Sequence, residues 1–337
     1  MTGSTVELCT ELACRLDRFA RVRLGHLPTP LEAAPRLGAC LGVELRIKRD
    51  DCRGLAFGGN KVRQLEFYLG EAVAGECDTV LITGAVQSNF VRLAAAAARK
   101  IGIDVHVQLE ARVPIKDASY RRSGNVLLDR LFGATIHSLD VGDDERAADE
   151  RLDTIAASLY EAGKRPYVIH LGADHPPLGA LGYVDAAREL LMQCIEGEWM
   201  PETVVVPSGS GLTHVGMLAG LRAAGFNGDV WGVCVRRDAP AQRMRIVSRA
   251  EALIRLLDDR GDLAGLIRDG DVQVSDRALS PGYGRLDGDL STWLSTAARL
   301  EGLILDPVYS AKSMHGLAKL VGGGQIDPGS RVLWLHT

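Results

Sequence analysis

The sequence predicts an α/β protein built on parallel sheets, on three observations. Short, β-rich and nearly all-apolar runs recur along the chain, as in "TVLITG" (79–84), "PYVIHL" (166–171) and "TVVVPSGSG" (203–211). Such strands are expected where both sheet faces are covered. Helix-like segments lie between them, spaced by the apolar periodicity of amphipathic helices. A length of 337 residues exceeds the usual single domain, so two domains are expected.

The N-terminal "MTGSTVELCTELACRLDRFARVRLG" alternates acids and bases without an apolar core segment. It reads as an amphipathic surface helix and not as a secretory signal. "LAFGGNKVRQLEF" (55–67) places two glycines, an asparagine and a lysine before a helical run. Gly58 and Gly59 suit a tight turn, and Asn60 is expected to cap the helix. Lys61 then falls in the first turn, where the helix dipole is positive and a permanent cation is poorly placed. It is either solvated and indifferent, or needed as something other than a cation.

"TVLITG" leads into "FVRLAAAAARKIG" (90–102), and "DVHVQLE" (104–110) follows. A helical "RRSGNVLLDRLFG" (121–133), the strand "ATIHSL" (134–139) and a helix over 148–163 come next. After "PYVIHL" stands a helix over about 180–196, then "TVVVPSGSG", the helical "VGMLAGLRAAG" (215–225) and "DVWGVCV" (229–235). "SRVLWLHT" (330–337) supplies a last strand. The Pro- and Gly-bearing stretches at 111–120 and 172–179 look like seams.

With 46% hydrophobic and 24% charged residues, the composition is that of a globular protein with an ample core. A net charge of −4 gives no electrostatic reason to expect nucleic acid or an anionic membrane. No apolar run approaches the roughly 18 residues of a membrane span. The seven cysteines are scattered, without a C-x-x-C pair, which favours reduced thiols in the cytoplasm over disulfides or zinc. His26, His170, His175, His214, His315 and His336 show no metal-ligand spacing, so no metal is expected.

Three places carry candidate chemistry. In "PSGSGLTHVGML" a strand enters Ser208-Gly209-Ser210-Gly211-Leu212-Thr213 and a helix follows. Backbone N–H groups at such a turn make an anion site, to which the Ser210 and Thr213 hydroxyls add donors. Neither a Walker lysine nor a G-x-G-x-x-G spacing is present, and a glycine-rich turn without ligand stays open. In "GAVQSNFVR", Ser88 and Asn89 stand at the carboxyl end of a strand, where open parallel sheets bind ligands. A simple helix cap accounts for them equally well. Tyr283 in "LSPGYGRLDG" and Tyr309 in "LDPVYSAKSMHG" are either buried phenols with satisfied hydroxyls or an acid and a base near a reacting carbon.

Taken in order, "HLPTPLE…RIKRDDCRGLAFGGNKVRQLEF", "GAVQSNFVR", "PSGSGLTHVGMLAGL" and "LDPVYSAKSMHGL" resemble the D-cysteine desulfhydrase, 1-aminocyclopropane-1-carboxylate (ACC) deaminase and L-cysteate sulfo-lyase family. These are pyridoxal phosphate (PLP) enzymes of the tryptophan synthase β-like fold, PLP fold type II. The resemblance covers about residues 24–337. It implies two three-layer α/β domains with PLP in the cleft between them: a small inserted one at 63–175, and a large one from 1–62 and 176–337. It also implies a homodimer and a small amino-acid substrate.

By the same resemblance, Lys61 matches the lysine that holds PLP through its amine, with Asn60 beside it. Gly209, Ser210, Gly211, Leu212 and Thr213 match the phosphate loop. Asn89 matches the residue bonded to the cofactor's 3′ oxygen, Ser88 the one next to the substrate carboxylate, and Tyr283 and Tyr309 two active-site tyrosines. Three departures are informative. Ser310 stands where ACC deaminases carry a glutamate facing the pyridine nitrogen, which favours loss of a good β-leaving group over cyclopropane opening. Phe90 stands where relatives have His or Gln, so the substrate end of the pocket is altered. The sequence ends at His336-Thr337, where relatives continue with Gly-Gly, with Thr337 expected near the pyridine ring. The expected reaction is α,β-elimination on a D-cysteine or L-cysteate type of amino acid. ACC-type or specialised biosynthetic chemistry is the first alternative, and a PLP-binding protein without turnover the second.

Overall fold

A computed structural model of the chain describes residues 2–337 apart from 116, 141 and 143. It contains two compact units, one of Phe19–Gly25 with Gly54–Gly179 and one of Met1–Arg18, His26–Arg53 and Ala180–Thr337. These units divide after Arg53 and Gly179, whereas the expected seams fall after residues 62 and 175. Gly54 to Asn60 and the helix that Lys61 begins belong with the inserted unit, as does the stretch around Arg21. That stretch is tied to Glu66 by the Val22 N–H at 2.9 Å and by the Arg21 guanidinium at 2.6 Å.

The inserted unit runs α3 to β6, after α1 (Thr2–Leu16), β1 (Leu31–Ala33), α2 (Pro35–Leu41) and β2 (Glu44–Arg49) of the other unit. Its elements are α3 (Lys61–Ala74), β3 (Thr79–Ala85), α4 (Asn89–Lys100), β4 (Asp104–Glu110), α5 (Gly124–Leu131), β5 (Thr135–Leu139), α6 (Glu145–Glu161) and β6 (Pro166–Ile169). The sheet order is β5-β4-β3-β6, every pair parallel. Strand β3 is buried along its whole length, with α4 and α6 packed on it. That is why its sequence shows no alternation.

The second unit continues with α7 (Leu181–Glu196), β7 (Thr203–Ser208), α8 (Leu212–Ala223), β8 (Asp229–Cys234), α9 (Ala239–Leu257), β9 (Gln273–Ser275), α10 (Gly288–Glu301), α11 (Ser310–Gly322) and β10 (Arg331–His336). Its sheet order is β1-β2-β10-β7-β8-β9. Only β1 runs antiparallel, against β2. Strand β10 pairs with β2 on one side and β7 on the other. Trp334, fully buried, donates its indole N–H to Ser313 of α11. The N-terminal helix buries Cys9, Leu12 and Leu16 and packs against α7, as its amphipathic sequence predicts. Among the described residues, no helix is long and apolar enough to cross a membrane.

Candidate functional site

In the inserted unit, Lys61 opens α3 after an unusual turn. Ala56, Phe57, Gly58 and Gly59 all take positive φ, at 41°, 71°, 68° and 111°. Two of these four have side chains, so the backbone is held in a conformation that costs of order 1–3 kcal/mol per residue. The expected Asn60 cap is corrected. Asn60 has helical angles (φ −54°, ψ −27°) and makes no side-chain cap bond. The first turn closes one residue earlier, where the Gly59 carbonyl accepts the Val62 N–H at 3.2 Å. A residue already inside the helix points its side chain away from the free N–H groups, so it cannot cap them.

The half-buried Lys61 Nζ lies 3.3 Å from Gln64 Oε1 and 4.8 Å from the centre of the Phe90 ring. That distance is within the range of a cation–π contact. Phe90 is therefore one neighbour of the lysine amine within this unit, and it is itself buried.

Ser88 and Asn89 begin α4 at the carboxyl end of β3. Of the two readings open for Ser88, capping is observed: its Oγ accepts the Val91 N–H at 3.3 Å. The hydroxyl proton remains available to donate. Asn89 is oriented by donors. Arg92 Nη1 at 3.1 Å and Asn125 Nδ2 at 3.0 Å both reach its Oδ1. Guanidinium groups only donate, so this atom must be the oxygen and the Asn89 amide N–H groups face elsewhere. Asn125 is in turn fixed by Gln87 through two bonds, at 2.8 and 2.9 Å. Asp129 of α5 is fully buried, and neither carboxylate oxygen has a hydrogen bond. Burial pushes its carboxyl up to about 7, against the attraction of Arg92. Sequence reasoning missed this network, because Asn125 and Asp129 sit in an ordinary helical stretch.

In the other unit, the glycine-rich loop joins β7 to α8. Gly211 takes φ +93°, and no side chain caps the helix start. The loop carbonyls are tied back: Gly209 O accepts from Gln242 Nε2 at 3.1 Å and Arg237 Nη1 at 3.2 Å, and Ser210 O accepts from Arg245 Nε at 2.9 Å. Gln242 also donates to Ser208 Oγ at 2.8 Å. These three anchoring residues come from β8–α9 and carried no sequence signal. Leu212 and Thr213 open the helix and are buried. His214 beneath the loop is buried, and burial pushes its imidazole down to about 4, so it is neutral.

Tyr283 and Tyr309, 26 residues apart in sequence, meet here with hydroxyl oxygens 2.8 Å apart. The rings are edge-to-face, with centres separated by 6.1 Å. A Cβ on Gly209 would stand 3.6 Å from Tyr309 Cε1, so the tyrosine pair abuts the glycine loop. Lys312, buried in α11, grips the segment before Tyr283 by donating to Leu279 O at 2.6 Å. Ser310 is buried in the same helix start. Its Oγ accepts the Asp306 N–H at 2.7 Å and lies 2.9 Å from Asp306 Oδ2, to which it donates. Thr337 is half-buried just beyond β10.

The two arrangements suit a phosphorylated aldehyde cofactor. An uncapped helix start with its carbonyls turned away offers N–H groups to a phosphate. An amide fixed as a donor at Asn89 suits a phenolic oxygen. The similarity to known proteins points to the same cofactor. A family model described as pyridoxal-phosphate dependent enzyme matches residues 22–337. D-cysteine desulfhydrase of Salmonella choleraesuis (strain SC-B67) is 38% identical over 322 residues, covering 96% of this chain and 94% of the relative. 1-Aminocyclopropane-1-carboxylate deaminase of Bradyrhizobium diazoefficiens is 38% identical over 327 residues, covering 95% of each. The solved structure of an ACC deaminase homologue superposes with a TM-score of 0.85 at 31% identity, over 97% of this chain and 94% of that one.

Proposed function

Because this chain belongs to the pyridoxal-phosphate dependent enzyme family and takes PLP as its cofactor, we propose that it is a lyase acting on a small β-substituted amino acid. The substrate is of the D-cysteine or L-cysteate type; elimination of the β-substituent and hydrolysis by one water give pyruvate and ammonia. PLP supplies an electron sink that acidifies the substrate Cα–H.

The chain's own residues do the rest. Lys61 would hold the cofactor through its amine, and its Nζ would take the substrate Cα proton. Gly209, Ser210, Gly211, Leu212 and Thr213 hold the phosphate, and Asn89 donates to the ring oxygen. Ser88, whose hydroxyl proton is not used by its cap, binds the substrate carboxylate together with the first N–H groups of α4. Tyr283 and Tyr309 share one hydrogen bond and so pass a proton towards or away from the β-substituent. Phe90 excludes water beside Lys61 and sets the shape of the substrate end.

The observation that carries elimination over ring opening is Ser310. Its hydroxyl is engaged with Asp306 as both donor and acceptor, and residue 310 itself carries no carboxylate. Departure of a good leaving group needs less electron withdrawal than opening an unactivated ring. The reading includes a cytoplasmic homodimer. The cytoplasm suits seven free thiols, and the dimer rests on the family resemblance.

The test is to incubate the purified protein with D-cysteine, L-cysteate and ACC and to measure pyruvate. Pyruvate is expected from a thiol or sulfonate substrate. Pyruvate from ACC alone would move the assignment to a deaminase, and pyruvate from none would overturn it. Lys61→Ala should lower kcat by about 10²–10⁴-fold from loss of proton transfer alone. It should also remove the visible absorption of bound cofactor.

A further inference from the structure

A second cluster of polar side chains lies in the inserted unit, outside the residues assigned above. Strand β6 ends at Ile169, and the turn after it runs His170-Leu171-Gly172-Ala173-Asp174-His175. Asp149 of α6 approaches this turn and is 7% exposed. Its Oδ2 accepts the Gly172 N–H at 3.2 Å, and the Leu171 amide also faces the carboxylate. Its Oδ1 is buried without a hydrogen-bond partner. His175, whose spacing marked it as ordinary, has Nε2 3.6 Å from Asp149 Oδ2 and 4.0 Å from Asp174 Oδ1. One donor atom from each of the three residues lies within 4.8 Å of the others.

The surroundings hold this geometry in place. His170 stacks on His175 with ring centres 3.9 Å apart and planes 5° from parallel, and its own Nε2 is 2.8 Å from Asp153 Oδ1. A Cβ on Gly172 would come within 2.6 Å of both Asp149 Oδ2 and Asp174 Oδ1, so only glycine lets the two carboxylates converge. Two carboxylates are thus drawn together, one of them buried. Among the described residues, their ion-pair neighbours are histidines and neither lysine nor arginine. Burying a carboxylate without a full cation is costly.

We infer that this turn binds a divalent metal ion through Asp149, Asp174 and the His175 Nε2, with water completing the shell. Donors about 2.1 Å from one ion stand roughly 3 Å apart when adjacent and about 4.2 Å when opposed. The separations of 3.6 and 4.0 Å fall inside that range. One imidazole and two carboxylates form a borderline-to-hard donor set, suited to manganese or zinc. Asp174 is exposed and His175 is half-exposed, so an ion can enter from solvent.

The experiment titrates Mn²⁺ into the PLP-loaded full chain and follows free ion by electron paramagnetic resonance. Mn²⁺ is chosen because it binds thiols poorly, and Cys14, Cys40 and Cys52 are exposed. Saturable binding of one ion per chain is expected, with imidazole nitrogen coupling on the bound ion. His175→Ala should remove that coupling. Asp174→Asn, at an exposed position that leaves folding intact, should weaken binding at least tenfold. Absence of saturable binding in the wild type would overturn the site. So would unchanged affinity in Asp174→Asn, which would place the ion elsewhere, such as on the cofactor phosphate.

Discussion

The loops after β3 and β7 have the same plan, a buried parallel strand turning into a helix, yet their helix starts are completed differently. At α4 the protein supplies its own cap in Ser88 and locks Asn89 through Arg92 and Asn125. At α8 no side chain caps the helix, and Gln242, Arg237 and Arg245 pull the loop carbonyls aside. The first loop fixes the direction of particular side chains. The second has no side-chain cap at its helix start and holds its carbonyls aside instead. A strand–turn–helix unit is therefore not one kind of site, and the presence or absence of a side-chain cap tells the two apart.

Three substitutions test this contrast. The largest effect is expected at Asp129, which feels the charge of the same Arg92 that holds Asn89. Its carboxyl is raised from 3.8 to about 7 in the folded chain. The folded state thus holds the proton more tightly, and stability present below pH 4 is lost as pH rises through 7. The wild type should lose roughly 3–4 kcal/mol between pH 4 and pH 8 on account of this group. Asp129→Asn should be free of that loss, so urea unfolding should show the variant gaining on the wild type as pH rises. A pH-independent difference would show that the carboxyl is not held as described.

Gly211→Ala addresses the open loop. The new Cβ would meet Ile246 Cδ1 at 2.9 Å, at a φ of +93° that side chains rarely adopt. A penalty of about 1–3 kcal/mol is expected, read as weaker PLP retention on dialysis. Retention equal to wild type would break the assignment of this loop to the phosphate. The smallest effect is expected at the capped helix. Ser88→Ala should lower stability by about 1 kcal/mol in cofactor-free protein, measured by the urea midpoint. No change would remove the cap from the comparison.

Much of this was legible in the sequence because it is local. Strands buried on both faces show as unbroken apolar runs, and the glycine loop shows by composition. What stayed hidden depends on chain pairing over long distances. The edge strands β1 and β9 have three residues each, too few for a pattern. The Asn60 cap failed because the turn closed one residue earlier, through left-handed residues that include Ala56 and Phe57, whose side chains disfavour them. The meeting of Tyr283 with Tyr309, the hold of Gln242 on the loop and the approach of Asp149 to His175 join separate elements. No spacing rule reaches them.

The position of β10 has a consequence for how the molecule is made. Its six residues bridge β2 and β7, which have no ladder between them without it. During synthesis, the unit carrying Lys61 has all its strands by Ile169 and can assemble early. The sheet carrying the glycine loop stays in two parts until residues 331–336 emerge. Until β10 joins them, β2 and β7 each present an open strand edge on which a neighbouring chain can pair.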